Sequence, residues 1–208
     1  MKKFDIRKFA SNIAISFFFS AIFVLCYYFI FEDKVSEYVA LANIMSVKQS
    51  DKETEVKYDI NSKSLIRYPA YGKKYASLII PSIDLKLAVY HGDNIKILRH
   101  GVGHYSGSYF PGENGTIIYA AHNTKGFFQK LDKVKIGDKI TIKTSYGTFE
   151  YKVYKHKVVD EKNLKAFDIQ HEKEILILYT CYPINRSVVG RKTKRYVVYA
   201  SKVGFKNE

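Results

Sequence analysis

The sequence predicts a mainly β domain, a closed or nearly closed barrel of about eight strands, preceded by one N-terminal transmembrane helix. From about residue 73 onward, short runs of β-branched and aromatic residues recur, separated by Gly, Asn, Asp and Pro. Few segments of this region have helical periodicity. At 208 residues the chain is long enough for one such domain and a short additional segment.

Turn residues set the order of the predicted strands. Residues 111–115 (Pro-Gly-Glu-Asn-Gly) give the strongest turn signal, and Tyr146-Gly147 separates two alternating runs. We expect helical turns near residues 93–99 and 126–131, and a long polar loop with a helical turn at 159–173. The predicted strands are residues 77–81, 85–90, 116–121, 139–143, 148–154, 175–181 and 196–200.

Residues 13–31 predict a membrane anchor. This run has nineteen residues without a charge, and a helix of that length spans about 28 Å, close to the hydrocarbon thickness of a bilayer. Four basic residues precede the run, and Glu32 and Asp33 follow it. The positive-inside rule therefore places residues 1–12 in the cytoplasm and the remainder outside. A cleaved signal peptide is the alternative, but no small-residue cleavage site closes the run.

Between the anchor and the domain, residues 32–72 are expected to form an extracellular stalk or linker. Residues 49–63 are dense in Asp, Lys, Glu, Thr and Ser and have little to bury. Residues 64–69 are interpreted as a short helix or an arm that packs on the domain. Residues 73–208 are assigned to the folded barrel.

The chain is strongly basic, with 34 Lys and Arg against 20 Asp and Glu, a net charge of +14. The positive electrostatic field of such a chain favours binding to anionic surfaces such as wall polymers or lipid headgroups. Nucleic acid is the other usual partner of a basic chain, but export across a membrane and the scattered lysines argue against it. A lysine-rich composition without a dedicated partner is equally compatible with these numbers.

Outside the apolar run, which contains Cys26, the sequence has a single cysteine, Cys181. No disulfide is therefore expected within the domain. A solitary thiol at the end of a β-like run is either an inert buried residue or a reactive nucleophile. His122 ends a second β-like run and Arg195 opens a third, which favours the reactive interpretation.

These three residue types together can carry out acyl transfer. A thiol attacks a carbonyl when a base assists it, and His122 can accept that proton and later protonate the leaving amine. Arg195 can support the developing oxyanion or hold the substrate. Each residue alone also has a structural interpretation, and Arg186 and Arg191 compete for the role of Arg195.

The segments around these residues resemble the sortase family. They are Leu178-Tyr179-Thr180-Cys181, the strand end Ala121-His122, and the strand Arg195-Tyr196-Val197-Val198. The single N-terminal anchor and the short-strand domain are also similar to that family. The resemblance covers about residues 73–205.

Two further segments most resemble class D sortases. They are Tyr182-Pro183 after the cysteine and Gly115-Thr116-Ile117 before the histidine strand. The chain departs from the familiar Thr-Leu-x-Thr-Cys pattern at Ile177, which stands where the first Thr would be. This difference leaves the cysteine assignment intact and bears only on the subclass.

The resemblance implies an eight-stranded sortase-type barrel and a cysteine transpeptidase on the outer face of a Gram-positive membrane. Members cut a Leu-Pro-x-Thr-Gly-like C-terminal sorting signal between Thr and Gly. Cys181 would hold the threonyl thioester, and an amine of a cell-wall precursor or a pilin lysine would resolve it. His122 would move the protons, and Arg195 would face the substrate and the oxyanion.

Two other functions fit the same residues. A thiol hydrolase would release the same acyl-enzyme to water, and product analysis with and without an amine separates it from a transpeptidase. A non-catalytic wall-binding module would use Cys181 only as a core residue, protected from thiol reagents until the protein unfolds.

No cofactor is expected, although some sortases bind calcium near the loop equivalent to residues 160–174. Calcium needs several convergent oxygens, and the interleaved lysines here favour a solvated loop. The other metal site considered is zinc bound by His100 and His104 on one face of a helix. The glycines between and after these histidines disfavour a helix. The carboxylates considered for calcium are Asp160, Glu161, Asp168, Glu172 and Glu174.

Overall fold

A computed structural model describes residues 7, 9, 11–27, 56–184 and 192–206. Residues 11–27 form an α-helix, α1, in a compact unit of its own. Over the described residues, no helix combines the length and the apolarity needed to cross a membrane. The end of the predicted anchor, residues 28–31, and the segment 185–191 with Arg186 and Arg191 lie outside the described residues.

The second unit is built mainly of strands, with one short helix and three 3₁₀ turns in its described part. The 3₁₀ turns are Pro81–Ile83, Phe128–Lys133 and Leu164–Phe167. The other elements are β1 (Lys57–Asp59), β2 (Ser64–Arg67), β3 (Lys74–Ile80), β4 (Leu85–His91), α2 (Ile95–Leu98), β5 (Val102–His104), β6 (Thr116–Ala120), β7 (Lys139–Thr144), β8 (Gly147–Asp160), β9 (Ile175–Tyr182) and β10 (Lys194–Lys206).

Eight strands close into a barrel in the order β10-β8-β7-β3-β4-β5-β6-β9, and β9 pairs with β10 to complete it. Neighbouring strands are antiparallel except for the pairs β4–β5 and β6–β9, which are parallel. Closure leaves each of these strands with a partner on both sides. The structure thus confirms the sequence prediction of a mainly β, closed eight-stranded barrel.

Alternation along the strands separates the inside of the barrel from its outside. In β9, Leu176 and Leu178 are fully buried in the interior cluster, whereas Ile177 belongs to a second apolar cluster. That cluster also contains Ala166 of the 3₁₀ turn Leu164–Phe167, so the turn covers this part of the outer surface. Since side chains alternate with a period of two, Cys181 lies on the same outer side as Ile177.

The hairpin of β1 and β2 packs on the barrel as an arm. The ring of Tyr58 stacks on Tyr146 at 5.2 Å between centroids. The Leu65 backbone N–H and the Tyr68 hydroxyl donate to Glu113 Oε1 at 3.2 and 2.7 Å. Residues 64–67 form a strand rather than a short helix. Pairing with this strand begins at Lys57, within the segment 49–63 that the sequence predicts to be a linker.

A chain of buried hydrogen bonds runs through the barrel and defines the tautomer of His104. Ser108 Oγ donates to the Tyr105 carbonyl at 2.8 Å, so it accepts from His104 Nε2–H at 3.0 Å. Nδ1 of His104 is therefore the acceptor, and the Tyr75 hydroxyl donates to it at 2.9 Å. Tyr75 in turn accepts from the Tyr119 hydroxyl at 2.8 Å.

This environment keeps His104 uncharged and excludes it from a zinc site. Its side chain is fully buried, and burial, followed by the charge of His91, lowers the pKa of His104 to about 3. Both ring nitrogens are engaged within the protein. His104 lies in strand β5 rather than on a helix with His100, so the two histidines do not form the helical zinc pair that their spacing suggested.

The low pKa of His104 predicts that acid destabilises the fold. In the unfolded chain an imidazole takes up a proton below about pH 6.5, whereas folded His104 stays neutral down to about pH 3. The unfolded state therefore binds one more proton in this window. The free energy of unfolding should fall by up to about 1.4 kcal/mol for each unit that the pH is lowered.

Urea unfolding at several pH values within this window tests the prediction. His104→Gln is expected to be less stable than wild type at neutral pH but to lose this part of the pH dependence. The exposed His171 provides the control, since His171→Gln should retain the wild-type slope. Equal slopes for wild type and His104→Gln would contradict the assignment.

Candidate active site

The ends of β6 and β9 bring His122 and Cys181 to the same place. The two strands run parallel, and their last register pair is Ala120 with Tyr179. The Ala121 N–H donates to the Tyr179 carbonyl at 3.3 Å and continues the ladder. His122 lies two residues after Ala120, and Cys181 lies two residues after Tyr179. Continuing the register places them side by side, on strands about 4.8 Å apart.

Side-chain hydrogen bonds hold these two strand ends together on either side of His122. Thr180 Oγ1 donates to the Ala121 carbonyl at 2.7 Å. Asn123 Nδ2 donates to the carbonyls of Cys181 and Pro183, both at 3.2 Å. Asn123 is a functional candidate that the sequence reasoning missed, and its only signal in the sequence was its position directly after His122.

His122 is half-buried, and its surroundings favour the neutral imidazole. Its carbonyl accepts from the Phe128 N–H at 2.9 Å, and its ring meets Phe127 edge to face at 6.2 Å. Burial is the main cause that lowers the pKa of His122, and the positive charge of Arg99 lowers it further. At neutral pH the ring is therefore available to accept a proton.

Arg195 lies on the opposite side of Cys181 from His122. In the antiparallel pairing of β9 with β10, Arg195 is the direct partner of Cys181. Directly opposed residues have Cβ atoms about 5 Å apart on the same face of a sheet. Cys181 is a free, partly exposed thiol in the middle strand of the three. The structure thus brings together the three residues that the sequence singled out.

The guanidinium of Arg195 is held by Glu161 and by two backbone carbonyls. Nη2 donates to Glu161 Oε2 at 2.7 Å, and Nη1 donates to the carbonyls of Lys192 and Lys194 at 2.7 and 3.0 Å. These bonds use three of the five guanidinium N–H groups. In the sequence, Glu161 stands out only as one of the carboxylates considered for calcium, because its contact with Arg195 joins segments that are distant in the chain.

A cavity of about 650 Å³ opens on the same outer face and reaches Arg195 and Tyr179, the neighbours of Cys181. Burial, followed by the negative charge of Asp93, raises the pKa of Tyr179 to about 12, so its hydroxyl stays protonated. The segment after β8 lines part of this cavity with the apolar side chains of Leu164, Phe167 and Ile169, next to the charged residues Glu161 and Lys162.

The carboxylates considered for calcium do not converge. Glu174 is buried and accepts from the Gly112 N–H, the Tyr151 hydroxyl and the Lys202 ammonium. Glu161 binds Arg195 instead. Within the described part of the chain, no group of three or more His, Cys, Asp or Glu side chains could hold a metal ion. The residues present therefore fit calcium poorly.

Comparison with known proteins identifies the family. A sortase-domain model matches residues 78–203. The chain belongs to the sortase family. It is 40% identical over 135 residues to sortase D of Bacillus subtilis (strain 168), an alignment that covers 65% of this chain and 67% of that protein.

One other relative agrees with this assignment, and one solved structure shares the fold. Sortase A of Listeria monocytogenes serovar 1/2a is 30% identical over 108 residues, half of this chain and 48% of that protein. The Clostridium perfringens sortase D5 transpeptidase shares the fold, with a TM-score of 0.60 over 80% of this chain and 99% of that one, at 22% identity. The sequence-based resemblance to sortases, class D members included, is confirmed.

The sortase is accordingly a cysteine transpeptidase. Family membership favours this enzyme over the non-catalytic wall-binding module that the sequence left open. Which residues of this chain carry the chemistry is a separate question, and the arrangement around Cys181 supplies the candidates.

Removing the charge of Arg99 should raise the pKa of His122. Because burial is the larger cause of the depression, the pKa in Arg99→Gln should move toward about 6.5 but stay below it. An NMR titration of the His122 ring protons measures this value directly. Lys96→Gln, an exposed change on α2, serves as the control and should leave the His122 pKa in place. A lower pKa in Arg99→Gln would refute the electrostatic account.

Asn123→Ala should slow turnover without unfolding the barrel. The substitution removes both hydrogen bonds that tie the segment after His122 to the end of β9, and loss of alignment by about 1 Å costs up to about 100-fold in rate. We expect kcat/KM for a sorting-signal peptide to fall about 10-fold or more. The neighbouring exposed residue gives the control, since Thr124→Ala should retain wild-type activity.

Proposed function

We propose that this sortase is a membrane-anchored transpeptidase that cleaves a Leu-Pro-x-Thr-Gly-like sorting signal between Thr and Gly. It would transfer the threonyl end, through a thioester on Cys181, to an amine of the cell wall or of a pilin. The observation that carries this proposal is the position of Cys181 between His122 and Arg195, on three adjacent strands beside an apolar cavity.

In the first half of the reaction, the Cys181 sulfur forms a bond to the threonine carbonyl carbon. Neutral His122 accepts the thiol proton as the sulfur attacks. The C–N bond to glycine then breaks, and His122 returns the proton to the departing glycine amine. The lowered pKa of His122 supports this order, because the ring starts uncharged at neutral pH.

In the second half, an incoming amine attacks the thioester carbonyl. His122 removes a proton from this amine, and the C–S bond breaks to restore the thiol of Cys181. The carbonyl oxygen carries negative charge in both halves of the reaction. Arg195 is the candidate that stabilises this charge, because it is the direct register partner of Cys181 and its guanidinium is held by hydrogen bonds.

The cavity beside Arg195 is the proposed site of the signal's apolar residues. Its wall of Leu164, Phe167 and Ile169 suits leucine and proline side chains, which lose contact with water on binding. Threonine would then lie toward Cys181 at the end of the cavity that Tyr179 and Arg195 form.

The location of the enzyme is part of the proposal. An uncharged run at residues 13–31, preceded by basic and followed by acidic residues, supports a single-pass anchor with a cytoplasmic N-terminus. The catalytic domain would then face the cell wall. Its positive charge suits an anionic wall environment.

Cleavage and transfer of a fluorogenic Leu-Pro-x-Thr-Gly peptide test the proposal. We expect the wild-type protein to form a thioester adduct on Cys181, detected by mass, and to yield an amide product when glycine or diaminopimelate is present. Cys181→Ala should lose all product. His122→Gln and Arg195→Ala should each reduce kcat by at least about 100-fold.

Three results would revise the proposal. Peptide hydrolysis with no amide product at high amine concentration would indicate the thiol hydrolase instead. Full activity in Arg195→Ala would remove Arg195 from the site. Stimulation by calcium would contradict the placement of the loop carboxylates, and an assay with and without a chelator measures it.

A further inference from the structure

The ion pair between Arg195 and Glu161 is shielded from solvent although it lies beside the reactive thiol. The two side chains are only 18% and 14% exposed, and Arg195 Nη2 lies 2.7 Å from Glu161 Oε2. Ion pairs at this depth are screened less than pairs on the surface. The contact therefore restricts Arg195 more than an exposed pair would.

The backbone places Glu161 firmly. Its N–H donates to the Thr193 carbonyl at 2.7 Å, which extends the β8–β10 ladder one step past the last register pair, Asp160 with Lys194. The carboxylate is therefore attached to a hydrogen-bonded strand end rather than to a free loop. Glu161 also begins the segment whose apolar side chains line the cavity.

We propose that Glu161 is a positioning residue for Arg195. It fixes the guanidinium from the β8 side of β10, the strand next to that of Cys181, and offsets part of its positive charge. The inference rests on the proposed function, in which Arg195 stabilises the oxyanion. Glu161 and the two carbonyls use three of the five guanidinium N–H groups, and the remaining two are those proposed to bind the substrate.

The charge of Glu161 has a second consequence for the thiol. An uncompensated guanidinium near Cys181 favours the thiolate, whereas the carboxylate weakens this effect. Replacing Glu161 by Gln keeps an oxygen that accepts from Arg195 but removes the negative charge. Replacing it by Ala removes both the acceptor and the charge. The two variants therefore separate orientation from electrostatics.

Steady-state kinetics on the full-length chain test the orientation. In Glu161→Ala, kcat should fall about 10- to 100-fold, because a mobile guanidinium no longer supports the oxyanion. KM should change less than about threefold, since the interaction belongs mainly to the transition state. Glu161→Gln should lose less activity than Glu161→Ala. The exposed Glu172 of the same loop gives the control, and Glu172→Gln should match wild type.

An Arg195→Ala background shows whether Glu161 acts through Arg195. If it does, adding Glu161→Ala to Arg195→Ala should cause no further loss of kcat. A further loss of equal size in this background would assign Glu161 an independent role and overturn the inference.

The rate of Cys181 alkylation by iodoacetamide at neutral pH tests the electrostatic part without any peptide substrate. In Glu161→Gln, the rate should rise about twofold or more, because the positive charge of Arg195 is no longer offset. A purely structural ion pair would lower stability without changing this rate.

The outcomes distinguish the inference from the proposed function. An active wild type, with unchanged kcat and alkylation rate in the Glu161 variants, would overturn the inference and leave the function in place. A rise of kcat in Glu161→Ala would show that Glu161 restrains Arg195 and would equally overturn it. A wild type that turns over no peptide would refute the function, while the alkylation rate would still report on the ion pair.

Discussion

The parallel pairing of β6 with β9 is the constraint on which the site depends. Parallel strands cannot be joined by a tight turn, so the two segments that end at His122 and Cys181 are far apart in sequence and adjacent only in the closed barrel. Thr180 and Asn123 then add side-chain bonds at the point where the ladder ends. Any change that shifts this register by one residue would move Cys181 to the opposite face.

Because side chains alternate along each strand, the residues that pack the core and the candidate catalytic residues lie on opposite faces of the barrel. Residues of one parity in β9 fill the interior, where a hydrogen-bonded histidine is also kept neutral. Residues of the other parity face outward, where Ile177 and Tyr179 lead to Cys181. The interior cluster holds most of the buried apolar residues, so the barrel can be stable while its outer face carries a thiol, an imidazole and a guanidinium.

The proposed role of Arg195 depends on its charge as well as on its position. A guanidinium beside a thiol affects the ionisation of the thiol and also binds an oxyanion. In this sortase the guanidinium is paired with Glu161 at the start of the segment that lines the cavity. The ion pair thus joins β10 to the start of the segment that lines the cavity.

The fold and the three candidate residues could be predicted from the sequence, because alternating apolar runs determine strands and a lone cysteine at a strand end stands out. The partners Asn123 and Glu161 could not, since their contacts join segments distant in the chain. Likewise, the sequence favoured a solvated loop over a calcium site for the acidic residues after β8, whereas the fold buries Glu174 of this group in an ion pair with Lys202. By itself, the sequence determined most of the barrel strands and the candidate residue types, but not the short strand β5. Only the tertiary structure decided which polar groups face each other, because strand order and register, rather than local pattern, set those distances.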